Sequence, residues 1–349
     1  MEYWIIIIFF VELLLGFLDY VTYGKGTYIR VGRFRTKITI FYVLMFLVLL
    51  LAAFFRNPYY GVDTQYYIIA YDRIAQGIIV PYEYAYTILE RICSYIHLDY
   101  QGFIRVIAIL VYSFLFLSYK ERKERFFIIL SYIAMNYFDS YSILRNYLAC
   151  SFLLEAYHMY KNENKRGAAF FAILACLFHN TSFIFITLLL FSKKKTNSIY
   201  WLIVCSVMFI IERTRVYSFI YSFIGKVISG RYLVYAEKTP HVSTVYVALL
   251  TLALILYYIC RGKLQDDVEN RMLSNFMGYI AVFTVFCSWF PNYDRIIRVS
   301  FVFIAIIVSK MLYSMNKKNQ YIIGTVYTIS LFVAMFLNQG FFALSGMFM

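Results

Sequence analysis

The chain has 349 residues, of which 62% are hydrophobic, 21% aromatic and 15% charged, with a mean hydropathy of +0.67. Soluble domains carry about 25% charged residues, so this composition argues against a soluble enzyme and for an all-α polytopic membrane protein. The formal net charge of +14 arises from Lys and Arg in short loops between apolar runs, without a contiguous basic face. Orientation in the lipid bilayer explains it better than a nucleic-acid partner does.

Apolar runs long enough to span fall at about 3–18, 38–54, 103–119, 126–142, 146–160, 199–212, 242–260, 272–290, 296–313 and 321–338. A hydrocarbon core of roughly 30 Å takes about 20 helical residues, so interfacial flanks complete the shorter runs and ten full spans are expected. The first run starts with Glu2 and lacks a basic n-region, so it reads as a membrane helix and not as a cleaved signal. The stretch 167–191 lies between two basic segments, Lys161–Arg166 and Ser192–Lys195. Twenty-five residues cannot cross twice as full helices, so a re-entrant hairpin broken at His179-Asn180-Thr181-Ser182 is expected. With 20–37, 120–125, 161–166, 192–198, 261–271 and 310–320 inside, 21 of the 33 Lys and Arg residues face the cytoplasm. Both termini then lie outside.

The whole chain reads as one integral membrane domain with two long extracytoplasmic loops, 55–102 and 213–241. The second half of the first loop has Tyr86, Leu89, Ile92, Cys93 and Ile96 at helical spacing, with Glu90 and Arg91 opposite. That pattern predicts an amphipathic helix lying in the interface. The six cysteines, at 93, 150, 176, 205, 260 and 287, lack metal or redox spacing and read as core residues.

Asp139, Arg145, His179 and Asn180 sit within or at the ends of apolar runs, where an ionisable group marks a functional site by default. Depth follows from helix rise. Arg145 lies sixteen residues from Lys161, or about 24 Å, and His179 lies thirteen residues from Arg166, or about 20 Å. Both fall in the outer half of the membrane, at one polar level. Asn180, Thr181 and Ser182 suit the N-terminus of a descending half-helix, whose free N–H groups favour an anion. Arg145 would add a bidentate clamp for phosphate or diphosphate. Bland roles stay open: a snorkelling Arg145, a packed His179, an Asx turn at Asp63, and loop charges at Asp294, Arg295 and Arg298. Glu155 and His158 read as interfacial. The four histidines are scattered, so no metal is expected, and no P-loop, GxSxG or HExxH motif calls for a cofactor.

Gly61-Val62-Asp63-Thr64 with Tyr67, the run Leu144-Arg145-Asn146-Tyr147-Leu148-Ala149, and Leu174 to Ser182 resemble the EpsG family of Wzy-like polymerases of exopolysaccharide, capsule and O-antigen. Arg231 to Tyr235 and Asp294 to Val302 resemble it more weakly. Asn146 departs from the family pattern, which has glutamine there, and Arg298-Val299-Ser300-Phe301 lacks a family tyrosine. The resemblance implies a GT-C-like membrane glycosyltransferase of the bacterial cytoplasmic membrane that works without a divalent metal. It would join undecaprenyl-diphosphate-linked oligosaccharide units on the outer face, with a flippase and a chain-length regulator as candidate partners. The expected site holds the leaving diphosphate with Arg145, Arg298 and the half-helix at Asn180, and in second place Arg295 and Arg231, with Asn146 and Tyr235 in the same binding set. Asp63 is the expected base and His179 the runner-up. Competing readings are an O-antigen-type ligase, a polysaccharide flippase and a membrane O-acyltransferase.

Overall fold

The computed structural model describes the backbone of residues 3–339 apart from 24–28, 32–33, 37, 62, 121, 184–185, 187–192, 195–197, 215, 228–243, 261, 263, 265 and 287–292. Side chains are described at most, but not all, of these positions. The chain divides into two compact units, residues 1–186 with 315–349, and residues 187–314. Among the described residues the architecture is helical, with one short antiparallel ribbon in which β1 (Ile29–Val31) pairs with β2 (Phe34–Thr36).

In the first unit, the proline-free aliphatic run forms α1 (Tyr3–Thr22). Helix α2 (Ile40–Phe54) starts at Thr39, whose Oγ1 accepts the Tyr42 N–H at 3.1 Å and so satisfies a donor the helix itself leaves free. Beside that cap, Asp19 and Arg125 form a fully buried ion pair that joins the end of α1 to the start of α6.

The loop 55–102 holds two helices, α3 (Thr64–Ala75) and α4 (Tyr84–Tyr95), packed on each other. Here the expected orientation of the second is corrected. Tyr86, Glu90 and Cys93 face inward, whereas Ile92 and Ile96 are exposed. Rings from three helices account for the rotation: Tyr67 packs on Tyr86, Tyr71 on Tyr100 and Phe103, and Tyr86 on Phe103. They draw the Tyr86 face inward, and Glu90, one turn further on, goes with it.

Glu90 is fully buried and neither carboxylate oxygen has a hydrogen-bond partner. Burial pushes its carboxyl up to about 8, against a smaller opposing pull from Arg145. The unfolded chain loses this proton near 4.3 and the folded chain holds it to about 8, so the folded state binds more protons between the two. Stability should therefore fall as pH rises through that window. Glu90→Gln is expected to flatten this dependence, measured as melting temperature of the purified protein between pH 5 and 8. An unchanged slope would show that other groups set it.

Helix α5 (Tyr100–Tyr119) is capped by Asp99, whose Oδ1 accepts the Gly102 N–H at 2.7 Å. The apolar run 126–142 is helical but irregular. It contains α6 (Arg125–Tyr132), a π-helical turn at Ile133–Tyr137 and the short α7 (Asp139–Ser142). Residues 125–141 are buried throughout, so this segment runs through the middle of its unit. Ile143, at φ −119° and ψ 58°, breaks the helix before α8 (Leu144–Lys161). A three-residue link leads to α9 (Lys165–Phe178), started by Asn164, whose Oδ1 accepts the Gly167 N–H at 2.9 Å.

The second unit comprises α10 (Ser198–Thr214), α11 (Val216–Val227), α12 (Thr244–Cys260), α13 (Val268–Phe286) and α14 (Tyr293–Ser314). Within it α13 and α14 are tied by Lys310 and Glu269 at 2.8 Å, and α14 is buried on all sides from Val299 to Ser309. The chain returns to the first unit as α15 (Lys317–Gln339), which packs on the π turn and on α6 through Ser131 and Tyr327, 2.7 Å apart.

Among the described residues, two helices are long and apolar enough to cross a membrane, Trp4–Thr22 and Tyr100–Tyr119. Ile40–Phe54 and Val299–Ser314 are apolar and shorter.

Candidate functional site at the α4, α8 and α9 ends

Because α8 and α9 are joined by three residues, they pack side by side, and the start of α8 meets the end of α9. Arg145 lies in the first turn of α8, where the helix dipole disfavours a cation. Its guanidinium is held from several sides. It lies 4.2 Å over the Tyr82 ring, Nε is 3.5 Å from the Tyr67 hydroxyl, and Nη1 donates to Oε2 of Glu83.

The chain leaves α9 at His179, whose backbone is extended at φ −157° and ψ 117° and whose N–H bonds to the Ala175 carbonyl at 2.9 Å. A turn follows at Asn180 and Thr181, with the Ser182 N–H returning to the His179 carbonyl at 3.0 Å. This turn aims two groups at one oxygen. His179 Nδ1 lies 3.0 Å from Oε1 of Glu83, and the Asn180 backbone N–H donates to the same oxygen at 3.3 Å. Beyond Phe183, most of the descending arm of the expected hairpin lies outside the described residues.

Glu83 reaches this position because α4 packs against α9. Its carboxyl feels opposing effects. Burial favours the neutral acid, but the His179 hydrogen bond and the Arg145 charge outweigh burial and hold it down at about 2. A carboxylate is thus ionised in a site built of donors. In chemical terms the constellation is an anion cradle, made of one guanidinium, one imidazole and one backbone amide.

Of the residues singled out by sequence, Arg145, His179 and Asn180 come together here. Asn146 is buried one position along α8, with Nδ2 unpartnered, and does not share the Glu83 carboxylate. Asp63 sits at the start of α3, one turn before Tyr67, whose N–H bonds to its carbonyl at 3.2 Å. Gly61 holds that segment against α7. It has φ +117°, and a Cβ there would fall 2.5 Å from Ser142 Oγ, so both backbone and space require glycine. Asp63 is thereby fixed close to the chain segment that presents Arg145. Arg295 and Arg298 belong to α14 of the second unit, with side chains outside the described residues, as are Arg231 and Tyr235 entirely. Asp139 opens α7. Glu155, expected at the interface, is instead buried and accepts from Ser118 Oγ at 2.6 Å, while His158 Nε2 lies 3.2 Å from Asn162.

Sequence reasoning missed Glu83 and Tyr82. Glu83 follows Pro81-Tyr82 at a helix start, a position that reads as a loop charge, and it is separated from His179 by 96 residues. Among the described residues, no group of three His, Cys, Asp or Glu side chains could hold a metal ion.

Compared with known proteins, residues 39–345 match the model of the EpsG family. The chain belongs to the EpsG family. Its helices fit a membrane protein, and membership of the EpsG family points to a polymerase-type role in polysaccharide biosynthesis. No curated protein and no solved structure matches this EpsG-family chain.

Proposed function

We propose that this EpsG-family chain is a membrane glycosyltransferase that polymerises lipid-diphosphate-linked oligosaccharide repeat units at the outer face of the bacterial cytoplasmic membrane. Undecaprenyl diphosphate is the leaving group. The observation that carries the reading is the convergence of Arg145, His179 and the Asn180 amide on one anionic oxygen group. Ten spans, a re-entrant hairpin and a GT-C-like architecture accompany the proposal. With Lys161 and Lys165 at the cytoplasmic face, the helix rise of α8 and α9 lifts the cradle about 20–24 Å towards the outside.

In the reaction, the acceptor hydroxyl attacks the anomeric carbon of the growing chain. A new glycosidic bond forms there, the bond to the diphosphate oxygen breaks, and the hydroxyl proton goes to a base. Charge develops on the diphosphate, so donors already in place stabilise the transition state more than the ground state. Arg145, His179 and the Asn180 amide supply them, with Arg298, Arg295, Arg231 and Tyr235 as further candidates and Asn146 lining the same region. His179 shares its anion with Arg145, which groups it with the diphosphate-binding residues. Asp63, beside Tyr67 and α7, is therefore the favoured base.

The test is a deletion strain complemented with wild type or Asp63→Asn at matched abundance. Wild type should restore a size ladder of surface glycan. Asp63→Asn should lower polymerisation by about 10²-fold or more and accumulate single lipid-linked repeats on the outer face. A normal ladder from Asp63→Asn removes Asp63 as the base. Repeats trapped on the inner face of the deletion strain would mean a flippase, and ladder-length glycan left unattached to its acceptor would mean a ligase.

A further inference from the structure

The three donors that carry the functional reading, on Arg145, His179 and the Asn180 backbone, all meet on one side chain of the protein itself. Glu83 Oε2 accepts from Arg145 Nη1, and Oε1 from His179 Nδ1 at 3.0 Å and the Asn180 N–H at 3.3 Å. The carboxylate is almost enclosed, with 9% of the side chain exposed. Two anions cannot share these donors at close range without strong repulsion. We propose that Glu83 is an internal stand-in for the ligand, filling the cradle until a phosphate or diphosphate group displaces it. The proposal deepens the functional reading and rests on it for the identity of the anion.

The geometry provides a second place for the displaced carboxylate. Glu83 is the residue immediately before α4, with an extended backbone at φ −64° and ψ 146°, and its side chain makes no cap bond to its own helix. The first-turn N–H groups of α4 lack intrahelical acceptors, and an acidic group is favoured at that end. Rotation about the side-chain bonds would carry the carboxylate from the cradle to the terminus of its own helix. Glu83 thus has two homes, one shared with the ligand and one not.

The exchange needs no proton. Glu83 is ionised in the cradle far below neutral pH, so an anion replaces an anion. Selectivity follows from the competition. A weakly held monovalent anion gains too little to evict a carboxylate with three donors. A multiply charged group with several oxygens can engage guanidinium, imidazole and amide together. The ligand is therefore a phosphate-class polyanion, and its apparent affinity is reduced by the fraction of time Glu83 fills the site.

The test measures binding of inorganic pyrophosphate to the purified full chain in detergent by isothermal titration, for wild type, Glu83→Gln and Arg145→Ala. Glutamine is neutral and near-isosteric, and its carbonyl oxygen still accepts from the Asn180 N–H. Glu83→Gln should bind pyrophosphate about 10-fold or more tightly than wild type, and Arg145→Ala should lose binding. Equal or weaker binding by folded Glu83→Gln, with binding still dependent on Arg145, overturns the stand-in and leaves Glu83 a structural counter-ion. No binding by either folded protein overturns it as well. If Glu83→Gln does not fold, Glu83→Asp carries the test, since it keeps the charge but is too short to bridge all three donors, and it too should bind more tightly. A short-chain polyprenyl diphosphate distinguishes the source of the anion, binding more tightly than pyrophosphate if the group is lipid-borne. Tighter binding by Glu83→Gln in a chain that makes no polysaccharide would keep the stand-in and discard the polymerase.

Discussion

Arg145→Ala, produced at the abundance of wild type, is expected to remove the polysaccharide ladder, with a loss of about 10²–10³-fold in polymerisation rate. The side chain is only 16% exposed, and its guanidinium is committed to the Glu83 carboxylate while stacked on Tyr82. Removing it leaves Glu83 with His179 and the Asn180 amide, so the carboxylate is not stranded and the fold should survive. The loss should therefore fall on chemistry, with single lipid-linked repeats accumulating at near-normal protein levels. Arg145→Lys keeps a charge but loses the planar fork that can hold two oxygens at once, and it should recover only part of the activity. Glycan profiling by size in a complemented deletion strain reads all three. A normal ladder from Arg145→Ala would reduce the residue to a packing role and dismantle the site described above.

The second large effect concerns stability. Asp19 and Arg125 are each 1% exposed and form a bidentate pair, Nε to Oδ2 at 2.7 Å and Nη2 to Oδ1 at 2.5 Å. Arg125 Nη1 also donates to the Lys120 carbonyl at 2.6 Å, its guanidinium lies 4.2 Å over the Tyr42 ring, and Thr39 donates to Asp19. The pair therefore joins the end of α1, the cap of α2 and the start of α6. Asp19→Ala should cost about 3–5 kcal/mol, because it leaves a buried arginine without its counter-charge, and Arg125→Ala should cost a similar amount for the converse reason. The double variant Asp19→Leu/Arg125→Met removes both charges and should be far closer to wild type than either single variant. Thermal unfolding of purified protein reads the difference. Additive losses in the double variant would show that the pair is not energetically coupled.

Much of the helical framework was legible because its causes are local. The apolar runs at 38–54, 103–119 and 242–260 correspond to α2, α5 and α12 within a few residues, and the side-chain caps Thr39 and Asp99 set the starts of α2 and α5. The run 126–142 was legible as a helical segment but its π turn was not, because hydropathy cannot distinguish a straight helix from an irregular one of the same composition. Glu90 misled for a different reason. A lone carboxylate on an otherwise polar helix face reads as exposed, and only the rings of Tyr67, Tyr71, Tyr100 and Phe103 on neighbouring helices turn that face inward.

The candidate site divides along the same line. Sequence by itself determined that Arg145 and His179 stand at one level, because both are counted along regular helices from a single short connection and helix rise is constant. It also determined that the chain breaks after Phe178, where His179-Asn180-Thr181-Ser182 favours a cap over a continuing helix. Only the tertiary structure decided what these groups face. Glu83 is 62 residues from Arg145 and 96 from His179, and no local period links positions so far apart. Its carboxylate arrives because α4 packs against α9, and that packing depends on the summed burial of many side chains. A charge partner chosen in that way leaves no trace in spacing, which is why the donors of the cradle could be read from the sequence and the anion they hold could not.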